Sequence, residues 1–255
     1  MPKFSIKSKK TFEIVLGLVF FLFCLSIAFY LSTLLVKTDV EVENLSSPEF
    51  ELYFLSLSKS QLESESQSRS EDFQGIGAGG YVWKNDDYYH VVSSVYANKN
   101  DASLVQNSIK LNQNLDSEIF SVKFESITIN GTFSSEEGSV LNKALNAIYE
   151  YYKKLYDIAI SLDTNVYNDI SARLAVNNAH SNFTLVRDDF QTLFASSKVQ
   201  EINLISSLLD EGFDQSKLLL SDTRVSANQT YSSHIKYRYT NLLSIYYRFI
   251  ENIKN

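Results

Sequence analysis

Three textures of hydrophobic and polar positions follow one another along the chain. Residues 14–36 form a run of 23 without a charged side chain. About 20 apolar residues cross a hydrocarbon core, so this run predicts a transmembrane helix. From 50 to 130 the apolar positions come in short runs with a period near two, the mark of strands with one buried face. From 134 onward they recur every three or four residues, the mark of helices with one buried stripe.

The middle texture resolves into a strand over 50–57, a serine-rich stretch over 58–72 that suits a short helix or a loop, and a strand over 81–83. The polar turn Asn85-Asp86-Asp87 leads into a strand over 88–96, a helix follows over about 101–111, and a last strand covers 118–129. This βαββαβ order predicts a four-stranded antiparallel sheet with helices on one side. Parity sorts 88–96 into a helix-facing set, Tyr89, Val91, Ser93 and Val95, and an open-face set, Tyr88, His90, Val92, Ser94 and Tyr96. The glycines at 75, 77, 79 and 80 lead into a strand rather than a helix. A phosphate-cradling loop does the reverse, so these glycines read as a tight turn.

In the third texture Ser134-Ser-Glu-Glu137 makes a capping box, and Leu141, Leu145, Ile148, Tyr152 and Leu155 form one stripe. Asp163-Thr-Asn165 breaks the run before a second helix over 166–194 that carries Ile170, Leu174, Phe183, Val186, Phe190 and Phe194. A helix over 199–209, a loosening at Gly212 and a last helix from about 222 to 253 complete an all-α antiparallel helical region. The fold class expected is therefore α+β. Its parts are a cytoplasmic basic tail (1–13), a transmembrane helix (14–36), a linker (37–49), a small sheet domain (50–130) and a helical bundle (134–255).

Charge places these parts. Lys3, Lys7, Lys9 and Lys10 precede the apolar run, and the positive-inside rule then puts the N-terminus in the cytoplasm. The localisation expected is the cell membrane, single-pass, with the bulk of the chain extracytoplasmic. The first 37 residues hold five lysines and one glutamate, which leaves 18 basic and 29 acidic side chains beyond them, a balance of −11. That balance disfavours nucleic acid, whose binding needs clustered Lys and Arg. Hydrophobic residues at 44% with 13% aromatic predict packed cores rather than a disordered tether.

Chemistry is sparse. Cys24 is the only cysteine, so an intramolecular disulfide or a multi-thiolate metal site is excluded. His90, His180 and His234 lie far apart without ligand spacing, and no Gly-x-Ser-x-Gly supports a nucleophile. No catalytic residue, metal or cofactor is expected. Tyrosine-rich runs such as 149–156 and 237–249 suit core edges or partner contacts, because tyrosine buries its ring and keeps its hydroxyl wet.

Gly79-Gly-Tyr-Val-Trp83, the run Tyr89-His-Val-Val-Ser-Ser-Val-Tyr96 and the helix begun at Ala102 resemble a SPOR domain over about residues 50–130. The resemblance is to the divergent form on membrane-anchored proteins of low-GC Gram-positive bacteria. It implies a ferredoxin-like sheet whose open face binds the glycan strands of peptidoglycan, on a single-span protein of cell division or sporulation. Trp83, Tyr88, His90 and Tyr96 are then the glycan-binding candidates, since aromatic faces stack on sugar rings. Ser56, Ser58 and Ser60 stand where the family reads Gln-x-Gly-x-Phe. A second expectation follows from that departure. The protein is a structural or interaction protein, its sheet has lost glycan binding, and its helical bundle binds a protein partner or a second copy.

Overall fold

The computed structural model describes residues 21–23, 25–27 and 42–254. Residues Met1–Glu41 and Val42–Asn255 separate as two units. In the first unit, 21–23 and 25–27 are helical, and their large apolar side chains are exposed. Among the described residues no helix is long and apolar enough to cross a membrane. This corrects the expected transmembrane helix and the single-pass placement built on it. The rest of that run, Cys24 and the basic tail lie outside the described residues.

The second unit begins with strand β1 (Val42–Ser46), inside the expected linker. It pairs antiparallel with β6 (Thr128–Phe133), Val42 opposite Phe133 and Leu45 opposite Ile129. Between them lie β2 (Phe50–Ser60), α1 (Glu63–Gly75), β3 (Tyr81–Asn85), β4 (Tyr88–Tyr96), α2 (Lys99–Gln113) and β5 (Glu118–Phe124). The four inner strands form an antiparallel sheet in the order β3-β4-β2-β5. The chain thus runs β2-α1-β3, leaving room between the two strands for β4, and β4-α2-β5, leaving room for β2. That is the split βαβ arrangement.

The alternation in β2 builds one face. Phe50, Leu52 and Phe54 stand opposite Phe124, Val122 and Phe120 on β5. On the other face Leu55 and Tyr96 pack with Ala102 of α2, with Val105, Ile109 and Ile119 around them. Helix α1 is nearly polar throughout, and the residues it buries are Ser66, Ser70 and Gln74, one turn apart. Its small face comes close enough to the sheet for Ser66 Oγ to donate to the Tyr89 carbonyl at 2.9 Å, and for Ser70 Oγ to donate to the Gly80 carbonyl.

The helical region comprises α3 (Ser135–Asp163), α4 (Asp169–Phe194), α5 (Gln200–Leu220) and α6 (Tyr231–Lys254). Ser134 and Glu137 close the capping box at the head of α3. Leu141, Leu145, Ile148, Tyr152 and Leu155 are all buried. In α4 the inward face is Ala172, Val176, Ala179, Phe183 and Phe190, while Ile170 and Leu174 are exposed. The expected stripe had mixed two faces. Helix α5 runs unbroken through Gly212, where a Cβ would lie 2.8 Å from both Ile148 Cδ1 and Phe183 Cζ. The glycine marks a close helix crossing and not a loosening. The last helix starts at Tyr231, after a connection held by Asp222, which takes a two-pronged grip from Arg224 at 2.9 and 3.0 Å and a third bond from Arg173 at 2.8 Å. These cations hold the Asp222 carboxyl down at about 2.

Helix α6 packs against both the sheet and the other helices. Phe50 and Phe124 stack on Tyr246, Trp83 meets Tyr247, and Tyr81 meets Tyr237. One hydrophobic cluster contains Leu52, Phe54, Trp83 and Val122 of the sheet together with Leu141, Leu155, Tyr239 and Ile250 of the helices. The expected split between 50–130 and 134–255 is a change of secondary structure that the core crosses. Helices cover both faces of the sheet, not one.

Candidate functional site

The open face expected from the sequence is occupied by the protein's own helices. Trp83, His90 and Tyr96 are 5, 5 and 4% exposed. Trp83 packs against Phe54 at 4.6 Å between ring centroids. Tyr96 belongs to the opposite face, edge-on to Tyr156 at 6.0 Å. Tyr88 alone of the four reaches solvent, at 38% exposure, with Lys59 Nζ 5.3 Å from its ring centre. The parity argument fails at a register shift. Leu55 pairs with Ser94 but Ser56 pairs with Val92, so β4 carries an extra residue at Ser93. A bulge of this kind reverses the facing of everything beyond it. Val92 and Val95 consequently share one core, while Tyr96 joins the other.

The structure does bring Tyr88 and His90 to one end of the sheet, around Glu118. His90 Nδ1 lies 3.1 Å from Glu118 Oε1, and Lys59 Nζ lies 2.8 Å from Glu118 Oε2. Burial pushes the His90 imidazole down and Glu118 opposes it. A cavity of about 210 Å³ adjoins these groups, lined by Ser56, Ser58 and Ser117 among others. Its ammonium and carboxylate already satisfy one another, so it presents little unspent charge to a ligand.

The glycine-rich turn is clamped from the helical side. Lys236 Nζ donates to the Gly77 carbonyl at 2.9 Å and pairs with Asp163 at 2.6 Å, and Ser233 Oγ donates to the Ala78 carbonyl. A Cβ on Gly79 would lie 3.1 Å from both Lys236 Cβ and the Ser93 carbonyl oxygen. These glycines let the turn lie flat against α6.

Two further histidines test the catalytic reading. His180 Nδ1 is 2.7 Å from Ser216 Oγ, the spacing of an activated serine. Ser216 is buried, however, and donates to the Phe213 carbonyl at 2.6 Å, while Thr184 stands 3.4 Å from His180 Nε2 where a triad has a carboxylate. The pair braces α4 against α5. His234 is fully buried beside Arg238, and burial holds its imidazole down at about 4. Among the described residues no cluster of His, Cys, Asp or Glu could hold a metal ion.

An apolar concavity of about 350 Å³ lies between α3 and α4. Ala147 and Tyr151 of α3 and Ala179, Phe183 and Val186 of α4 form the floor, with Tyr151 stacked on Phe183 at 5.0 Å. Asn142, Lys143, Asn146, Glu150, Lys154 and Asn182 form the rim. The groove exists because Ala147 and Ala179 are too short to fill the space where the helices cross. Only Val186 and Phe183 of this set belonged to a stripe expected from the sequence. The signal that could have found the rest is a pair of alanines at inward positions of neighbouring helices.

No family model matches the chain, and no curated protein and no solved structure matches it either. Assignment to the SPOR family, and with it peptidoglycan binding, cell division or sporulation, gains no support from these comparisons.

Proposed function

We propose that the protein is an interaction protein that receives an apolar segment of a protein partner in the groove between α3 and α4. The observation that carries this reading is the groove itself, an apolar floor with a polar rim between α3 and α4. Concave, mostly apolar sites with a few polar groups at the edge are where proteins take up ligands. The burial of Trp83, His90 and Tyr96 under helices favours this reading over a glycan-binding sheet. The sheet then serves as a platform that fixes α3 and α6. Binding, not catalysis, is the activity proposed.

A photo-cross-linking side chain at Asn182, on the groove rim, is expected to give a discrete adduct in the native cell. The same probe at Asn112, exposed on α2, is expected to give none. Filling the groove with Ala179→Leu should abolish the adduct while leaving the helical circular dichroism unchanged. An adduct of equal yield from both positions, or one indifferent to the filled groove, would contradict the reading.

A further inference from the structure

The rim of the groove specifies its occupant further, on the footing of the interaction reading just given. Lys143 and Lys154 stand on it, both exposed, and neither has an ion-pair partner among the described residues. Glu150, the one carboxylate on the rim, is already held by Lys153 at 2.7 Å. The groove therefore carries two unspent positive charges on a chain whose net charge is −7.

The two lysines are eleven residues apart on one helix, or about 16 Å at 1.5 Å per residue. The floor between them is built from side chains on two helices whose interior backbone groups are already paired. An extended segment laid there would find no backbone partners, whereas a helix brings its own hydrogen bonds. We infer that the occupant is an amphipathic helix of a partner protein, about three turns long, with an apolar stripe on the Ala147–Phe183 floor and acidic residues near both ends facing Lys143 and Lys154.

Two labelled peptides of equal length and identical apolar stripe, one flanked by glutamates and one by lysines, provide the test by fluorescence anisotropy on the full chain. The glutamate-flanked peptide is expected to bind at least about tenfold more tightly at low salt, with the gap closing as salt is raised. The double variant Lys143→Glu, Lys154→Glu lies on the exposed surface and should fold normally by circular dichroism, and it should reverse the preference. Equal binding of both peptides would overturn the acidic character of the occupant and leave the groove reading standing. Binding of neither, with the Asn182 adduct still formed, would overturn the helical occupant alone. Loss of both signals would remove the interaction reading as well.

Discussion

At the scale of single residues, His234 and the glycines before β3 decide stability in different ways. His234 has a folded pKa of about 4, against about 6.5 for an unburied imidazole. The unfolded chain therefore binds a proton at a pH where the folded chain does not. Stability from this residue is complete above pH 6.5 and falls as the pH drops towards 4, by on the order of 3 kcal/mol. Arg238 and Arg224 oppose the proton and Asp222 favours it. Asp222, depressed to about 2, withdraws its own contribution only below pH 3.8, outside that window. Urea unfolding of the protein and of His234→Gln between pH 7 and 4.5 should show a shallower fall in the variant. His90 and His180, shifted down by burial in both proteins, supply part of the slope that remains, and Glu51, lowered by its hydrogen bond with Ser121, and Glu125, lowered by Lys254, add to it towards pH 4.5. Gly80 has φ of +74°, and a Cβ there would lie 2.6 Å from Gln74 Cγ and 2.8 Å from the Ser70 carbonyl oxygen. Gly77, at φ +96°, has open space around it. Gly80→Ala should cost about 3 kcal/mol or more by equilibrium unfolding, and Gly77→Ala about 1 to 2 kcal/mol from backbone strain alone.

At the scale of elements, the sequence was most legible where one face alone is buried. Phe120, Val122 and Phe124 alternate as expected and form the core side of β5. The α3 stripe from Leu141 to Leu155 is buried throughout. It was least legible where packing replaces pattern. Helix α1 buries serines and a glutamine, so no apolar period announces it. The facing of β4 depends on the bulge at Ser93, and β1 pairs with a strand more than 80 residues away, neither of which local residues reveal. Gly212 reads in sequence as a weak point of α5 and is in fact a contact point. Gly212→Ala, which should strengthen an isolated helix by about 1 kcal/mol, is instead expected to destabilise the protein by about 1 to 2 kcal/mol. Ile148 and Phe183 must give way to the added methyl group.

At the scale of the whole unit, residues 42–254 behave as one body because α6 is shared. Tyr239 is fully buried, 2.6 Å from Ser94 Oγ, and Tyr152 donates to the Val95 carbonyl at 3.1 Å, so tyrosines of two helices finish the end of β4. The protein has a single tryptophan, Trp83, and it sits where the sheet meets α6. Its fluorescence and the helical circular dichroism are expected to change together in one urea transition. Separate midpoints would mean that sheet and helices fold as independent domains. The same sharing explains why the sheet face that the sequence offered for binding is closed. Trp83, His90 and Tyr96, which suggested a binding face on the sheet, are spent on internal packing, and the groove arises from two alanines that no stripe expected from the sequence included.

Hydrogen exchange of the full chain with and without the glutamate-flanked amphipathic peptide bears most directly on where this protein binds. Protection is expected across 142–154 of α3 and 179–186 of α4, with the amides of β3 and β4 unchanged. Protection centred on β4 around Tyr88, with none along the groove, would place the binding face back on the sheet and contradict the assignment of function to the helices.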